Sequence, residues 1–269
     1  MMDLDQLTGQ VVKIAGEAGF FLREQRKCFR PESVIEKKHY DYVSYVDKET
    51  EKLIIRLLCG LLPDAGFITE EGQGVYSGET YCWIIDPLDG TTNYIHDYAP
   101  YCVSIALQKG KELLLGVVYE VCRDEYFRAW KGGGAYLNDE RICSSQTKEI
   151  NKAFVGLGLP YNYEKYRLFL NKLFPCLYGF TSGIRICGSA AVNLCYVAAG
   201  RFDFWLEAFI KPWDFAAGAL IVSEANGIVS GLNGHTDFME GHHILASSNQ
   251  ILHENILNLL ANFTEDIEF

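Results

Sequence analysis

Apolar residues recur at Leu4, Leu7, Val11, Ile14, Ala18 and Phe21, the spacing of one helix face. The chain is therefore predicted to open with an amphipathic helix. A second helix is predicted with Asp47 as its cap, through Leu53, Ile54, Leu57, Leu58 and Leu61, ended by Pro63. The pattern then changes to short continuous runs. Gly66–Thr69 and Tyr81–Ile85 each stop at acidic residues and read as buried strands. Cys102–Gln108, Leu113–Val121 and Glu125–Trp130 follow, with Lys109-Gly110 and Arg123-Asp124 between them. Turns this short join antiparallel neighbours, so a meander is expected, followed by a tight turn at Gly132-Gly133-Gly134.

Strands and helices alternate in the second half. Phe154–Leu157, Arg201–Leu206, Ile228–Ser230 and Ile244–Ser247 read as strands. Glu164–Phe174, Ser189–Ala199, Asp214–Ala225 and Ile251–Leu260 read as helices, the third closed by Asn226-Gly227. The expected fold is mixed α/β. Two lobes, residues 1–145 and 146–269, would each hold a sheet packed by helices, with the seam near 140–150.

Composition narrows the classes. Of 269 residues 49% are hydrophobic and 22% charged, the balance of a chain that buries a core. Twenty-four basic against 35 acidic residues give a net charge of −11, which disfavours a nucleic-acid binder. Nine scattered Cys without a C-x-x-C pair point to buried thiols in a reducing compartment rather than disulfides or a zinc ribbon. The N-terminal residues show no basic segment followed by an apolar run, and no apolar stretch reaches membrane-spanning length. A cytoplasmic protein without membrane or nucleic-acid partners is expected.

The chemistry concentrates in Trp83-Ile84-Ile85-Asp86-Pro87-Leu88-Asp89-Gly90-Thr91-Thr92-Asn93. A strand is predicted to end at Asp86, where Pro87 breaks the ladder; Asp89 follows, and Gly90-Thr91-Thr92 can start a helix. Two acids this close repel unless a cation lies between them, and hard oxygen donors favour Mg²⁺ over zinc. The Gly90 and Thr91 amides would present a phosphate cradle. The spacing alone is equally compatible with a turn bearing two surface acids. Two further acidic termini, Glu70-Glu71 after Ile68-Thr69 and Asp214 in Trp213-Asp214-Phe215-Ala216-Ala217-Gly218, favour the functional reading.

Taken together, these segments resemble the inositol monophosphatase family of Mg²⁺-dependent phosphatases over nearly the whole chain. Asp86-Pro-Leu-Asp89-Gly-Thr91-Thr-Asn93 and Trp213-Asp214-Phe-Ala-Ala-Gly218 carry the resemblance. Asp41-Tyr42-Val43-Ser44-Tyr45-Val46-Asp47, Glu70-Glu71, Gly188-Ser189-Ala190-Ala191 and Glu207 fit it. It implies a layered αβαβα sandwich of the sugar-phosphatase type, a homodimer and sensitivity to lithium. It also implies two Mg²⁺ per subunit, with a third on Glu70 as an option. Glu70, Asp86 and the Leu88 carbonyl would hold the first, and Asp86, Asp89 and Asp214 the second. Thr91, bonded to Asp47, and Glu70 would activate the attacking water. Gly90 and Thr91 would cradle the phosphate, while Gly188, Ser189, Ala190 and Glu207 face the alcohol. Two positions depart from the pattern. Glu36 stands where some members carry a base, which Lys37 or Lys38 could supply. Lys211 is either a surface cation or a contact to a second anionic group.

The implied function is Mg²⁺-dependent hydrolysis of a small sugar or polyol phosphate, inositol 1-phosphate first. Fructose 1,6-bisphosphatase, histidinol phosphatase and adenosine 3′,5′-bisphosphate nucleotidase activities are the alternatives within the family. Thr92-Asn93 after Asp-Gly-Thr argues against the last. A non-catalytic regulatory or binding protein, acting on a ribonucleoprotein, is the alternative of another class; the intact acid set argues against it. The charge of −11 is no obstacle to an anionic substrate, because two divalent ions would offset Glu70, Asp86, Asp89 and Asp214.

Overall fold

Period-2 burial on both faces explains why the strands read as continuous apolar runs. In the strand Tyr81–Asp89, Trp83 and Ile85 enter one core cluster and Ile84 the other. The computed structural model describes residues 2–30, 35–38, 41–160, 163–239 and 242–261. The side chains of residues 35–38, 41–43, 163 and 165, which include Glu36, Lys37, Lys38 and Asp41, lie outside the described set, as does His39.

Helix α1 (Leu4–Cys28) precedes a two-stranded ribbon, β1 (Ile35–Lys38) and β2 (Asp41–Val43), and then α2 (Tyr45–Leu61). A seven-stranded sheet follows in sequence order: β3 (Gly66–Thr69), β4 (Tyr81–Asp89), β5 (Cys102–Lys109), β6 (Glu112–Glu120), β7 (Glu125–Trp130), β8 (Gly134–Leu137) and β9 (Glu140–Ile142). Its first pair is parallel and the rest are antiparallel. The short helix α3 (Thr91–Ile95) lies between β4 and β5. The second sheet has order β11-β10-β12-β14-β13, from β10 (Phe154–Leu157), β11 (Gly183–Arg185), β12 (Phe204–Ala208), β13 (Ile228–Ser230) and β14 (His243–Ser247). Helices α4 (Tyr163–Leu177), α5 (Ala190–Ala198), α6 (Pro212–Glu224) and α7 (Gln250–Leu260) complete the fold.

Three apolar clusters define five layers. α1 and α2 cover one face of the first sheet. α5 and α6 lie between the two sheets. α4 and α7 cover the outer face of the second sheet. The expected αβαβα layering is observed. The middle layer sits close because its contacts are small: a Cβ on Gly116 of β6 would meet the Ala217 carbonyl of α6 at 2.6 Å.

Several expected boundaries are corrected. α1 runs to Cys28. Asp47 is not the cap of α2: Ser44 is, and Asp47 sits three residues in, closing a capping box with it. Asp214 likewise lies three residues after Lys211, its side chain accepting from the Lys211 amide at 2.7 Å. α4 continues through Pro175 to Leu177. β12 starts at Phe204 rather than Arg201, because residues 199–202 form the turn after α5. Strand β4 does not end at Asp86 but runs to Asp89.

Candidate active site

The continuation of β4 decides where its acids point. Asp86 pairs with Ser104 and Asp89 with Cys102, so three steps on β4 match two on β5. That is a β-bulge, formed where Pro87 cannot donate to the ladder. In a regular strand residues three apart face opposite sides; the extra residue turns Asp86 and Asp89 to the same side. Both face the middle layer, where Cys102 packs. The Leu88 amide donates to Asp86 Oδ1 at 2.9 Å and fixes the turn.

The middle helices bring the remaining groups by their N-termini. Ser189 caps α5, and its hydroxyl donates to Asp89 Oδ2 at 2.6 Å. The Ala191 amide donates to the same oxygen at 2.7 Å and the Ala190 amide to Oδ1 at 3.3 Å. Asp89 therefore sits on the positive end of α5. Ser189 and Ala190, expected to face the alcohol, here hold Asp89. α6 places Asp214, and β12 places Glu207 against Gly158, where a Cβ would lie 1.7 Å from Glu207 Oε2. Only glycine leaves room for that carboxyl.

Asp47 is 1% exposed. Its Oδ2 accepts from the Ser44 amide and hydroxyl, each at 2.8 Å, and its Oδ1 lies 3.1 Å from Thr91 Oγ1. Thr91 Oγ1 also lies 3.0 Å from the Leu88 carbonyl. The hydroxyl has one proton and two candidate acceptors. Gly90, at φ 94°, makes the sharp entry to α3 and packs within 3.2 Å of the Gly188 carbonyl as measured from a built Cβ.

The acids act on one another. Burial, then Glu70, Asp89 and Asp214, holds the Asp86 carboxyl well above the usual carboxylate range. Burial, then Glu70 and Asp89, does the same to Asp214. Burial raises Asp89 against the pull of its Ser189, Ala191 and Ala190 bonds, and pushes Glu207 to about 8 with Asp89 adding to it. Asp47 is raised by burial too, against its Ser44 bonds. Glu70, Glu207 and Asp214 remain partly exposed, so the cluster opens to solvent.

Glu70, Asp86, Asp89 and Asp214 stay ionised together only with compensating positive charge. The donors are hard oxygens, and the thiol beside them, Cys102, is held far above its usual range by burial and so stays protonated. This chemistry fits a hard divalent cation. Among the described residues no group of three acid, imidazole or thiol side chains is preset to hold a metal ion. Asp86 Oδ1, both Asp89 oxygens and Asp214 Oδ2 each accept from a donor of the chain itself, and a cation would compete with those bonds.

Two residues without an expected role belong to this frame. Asn93 Nδ2 donates to the Pro100 and Cys187 carbonyls, each at 2.7 Å, and ties the Thr91 segment to the Gly188 loop. Glu51, one turn after Asp47, is fully buried and bonds to the segment after Glu70. The signal in the sequence was an acid on the buried face of an amphipathic helix.

Comparison with known proteins places the whole chain in one family. The model of the inositol monophosphatase family matches residues 3–265. The chain belongs to the inositol monophosphatase family. It is a phosphatase. A Pseudomonas aeruginosa protein named Nus factor SuhB is 42% identical over 222 residues, 80% of this chain and 82% of its own. An inositol-1-monophosphatase of Rhizobium meliloti is 38% identical over 78% of this chain and 80% of its own. A fructose-1,6-bisphosphatase/inositol-1-monophosphatase of Aquifex aeolicus is 36% identical over 95% and 96%. The structure of inositol monophosphatase from Anabaena superposes with a TM-score of 0.87 at 31% identity, covering 97% of each chain.

Proposed function

We propose that this family member is a cytoplasmic, Mg²⁺-dependent phosphomonoesterase acting on a small polyol or sugar phosphate, with inositol 1-phosphate as its preferred substrate. The observation that carries this reading is the mutual influence of Glu70, Asp86, Asp89 and Asp214 beside the Thr91–Asp47 pair. Glu70, Asp86 and the Leu88 carbonyl would hold one Mg²⁺, and Asp86, Asp89 and Asp214 a second. Bound there, Mg²⁺ supplies Lewis-acid stabilisation of the phosphate oxygens and of the leaving alkoxide, and lowers the pKa of water.

The chain's own groups do the rest. Thr91 donates its proton to Asp47, which leaves its oxygen free to accept a hydrogen bond from the attacking water. Glu70 takes the water's proton as the water attacks phosphorus in line, with no phosphoenzyme. The Gly90 and Thr91 amides hold the non-bridging oxygens. Glu207 and the Gly188 loop receive the alcohol. Glu207, whose carboxyl burial and Asp89 push to about 8, can donate to a substrate hydroxyl when protonated or accept from one when ionised.

Turnover of inositol 1-phosphate, fructose 1,6-bisphosphate, histidinol phosphate and adenosine 3′,5′-bisphosphate, each with Mg²⁺ and with chelator, tests the reading. Inositol 1-phosphate is expected to give the highest kcat/KM, and chelator to abolish both turnover and phosphate affinity. A dominant adenosine substrate, or full activity in chelator, overturns it. The name of the Pseudomonas relative supports a second reading, a binding role in a transcription complex; an inactive wild-type chain would favour it.

We also propose a homodimer. Phe174, Tyr178, Phe180 and Ile186 are 45–72% exposed beside the open edge strand β11. Burial of such a face against a second copy removes apolar surface from water. Sedimentation velocity giving only monomer at micromolar concentration overturns this.

A further inference from the structure

Helix α2 carries two buried acids one turn apart, Asp47 at 1% and Glu51 at 0% exposure. Residues four apart share a helix face. Asp47 reaches Thr91. Glu51 reaches the segment after β3: its Oε2 accepts from the Glu71 amide at 2.8 Å and its Oε1 from the Gln73 amide at 2.9 Å. Gly72 lies between them at φ 72°, the left-handed conformation that turns both amides toward one anion. Gln73 Nε2 donates back to the Lys48 carbonyl at 2.8 Å, so helix and segment are bound in both directions.

The base of this segment is closed without Glu51. The Phe67 amide donates to the Val75 carbonyl at 2.9 Å, and the Gly74 amide to Thr69 Oγ1 at 3.2 Å. Glu51 acts on the tip instead, where Glu70 begins the turn. A fully buried side chain spends both oxygens on the turn that Glu70 begins: one on the Glu71 amide next to it and one on the Gln73 amide two residues further on.

We propose that Glu51 is a positioning residue for hydrolysis. With Asp47 it makes one turn of α2 a rigid frame that sets Glu70 relative to Thr91, the two groups that meet the attacking water. It rests on the reading of Glu70 as a cation ligand given above. Glu51 touches neither substrate nor cation; it acts through the Glu71 and Gln73 amides. Loss of one of its bonds frees the tip, and the cost appears as weakened cation binding and slower turnover. Saturation by substrate, governed by the Gly90 and Gly188 segments, is left unchanged.

The test compares Glu51→Gln, Glu70→Gln and Leu58→Ala in the full chain. Glutamine keeps one acceptor but turns an NH₂ toward the other amide. Leu58 is a buried residue of the same helix that packs in the α1–α2 core. Mn²⁺ binding is read by electron paramagnetic resonance of the free ion, without substrate, and amide exchange by mass spectrometry. Glu51→Gln is expected to bind Mn²⁺ about 10- to 100-fold more weakly, the usual effect of removing a group that orients a metal ligand. Exchange at the Glu71 and Gln73 amides should accelerate, kcat fall and KM at saturating Mg²⁺ hold. Leu58→Ala should lose thermal stability and keep Mn²⁺ affinity. Wild-type Mn²⁺ affinity in Glu51→Gln, where Glu70→Gln has lost it, overturns the inference. Equal losses in Leu58→Ala and Glu51→Gln also overturn it, since helix stability would then be the cause. Wild-type affinity in Glu70→Gln overturns the ligand reading beneath it. Should Glu51→Gln fail to fold, the wild-type chain still decides: Mn²⁺ must slow exchange at the Glu71 and Gln73 amides, and unchanged exchange overturns the proposal.

Discussion

Asp89 shows how much one side chain can be asked to do. It accepts from Ser189, Ala190 and Ala191 while burial opposes its charge. Asp89→Asn keeps the shape but removes the anion. Turnover of inositol 1-phosphate is expected to fall at least about 100-fold, with the chain still folded but its melting temperature lowered, because the new NH₂ faces a donor of the α5 N-terminus that the carboxylate accepted. Thr91→Ala should lose about 100- to 10,000-fold, the range for removing a group that handles the water's proton. Kinetic assays beside circular-dichroism melts check both; wild-type turnover in Asp89→Asn would refute its assignment as a ligand.

His253 offers a prediction away from the site. Ser230 Oγ already donates to the Gly231 carbonyl, so it accepts from His253 Nε2 at 2.8 Å. Nδ1 is then the acceptor for Ser247 Oγ at 3.1 Å. This neutral tautomer is fully bonded, and burial pushes its pKa from 6.5 to about 4. The unfolded chain takes up a proton near 6.5 and the folded one only near 4. The contribution to stability is complete above pH 6.5 and is lost as pH falls toward 4, up to about 3 kcal/mol. Urea titrations from pH 7 to 4.5 should show a shallower loss in His253→Gln than in the wild type; parallel curves would be the contrary result.

At the scale of elements, the caps join stability to chemistry. Ser44 caps α2 and also gives Asp47 two hydrogen bonds. Ser44→Ala should cost about 1 kcal/mol, a drop of roughly 2–4 °C in Tm, and lower kcat as well because Asp47 loses a donor. Unchanged kcat would separate the cap from the site. The strands and helices were legible because burial on both faces leaves continuous apolar runs and burial on one leaves a helical stripe. The acids at strand and helix ends were legible by type and order. The cap positions were not, because a capping box puts its acid three residues inside the helix, where Asp47 and Asp214 lie. Edge strands β9 and β11 are three residues long and partly exposed, too short for a period to show. The work of Glu51 and Asn93 was hidden because their partners are backbone groups, 7 to 94 residues away, which carry no residue type to read.

At the scale of the molecule, the close layers and the charge of the site set the remaining expectations. Gly116 lies against the Ala217 backbone and Gly218 against Leu194. Gly116→Val would wedge β6 from α6 and cost about 1–3 kcal/mol, read by chemical denaturation. The raised carboxyls of Asp86 and Asp214 make the metal-free protein resist ionisation. A cation binds their ionised forms, so protons compete with it. Mg²⁺ should therefore raise Tm, by the equivalent of about 2.7 kcal/mol at 100 times its Kd, and more at pH 7.5 than at pH 5.5. An equal gain at both values would contradict ligation by these acids.

The reacting groups span the chain from Asp47 to Asp214, carried by α2, β4 and α6 in three different layers. No hairpin, sheet or half of the molecule holds enough of them to act. During refolding the sheets can pair and collapse long before these ends meet, since distant contacts close last against chain entropy. Phosphatase activity is thus a reporter of the final docking step: a nicked chain or a stalled intermediate with full secondary structure would have an assembled sheet and no turnover.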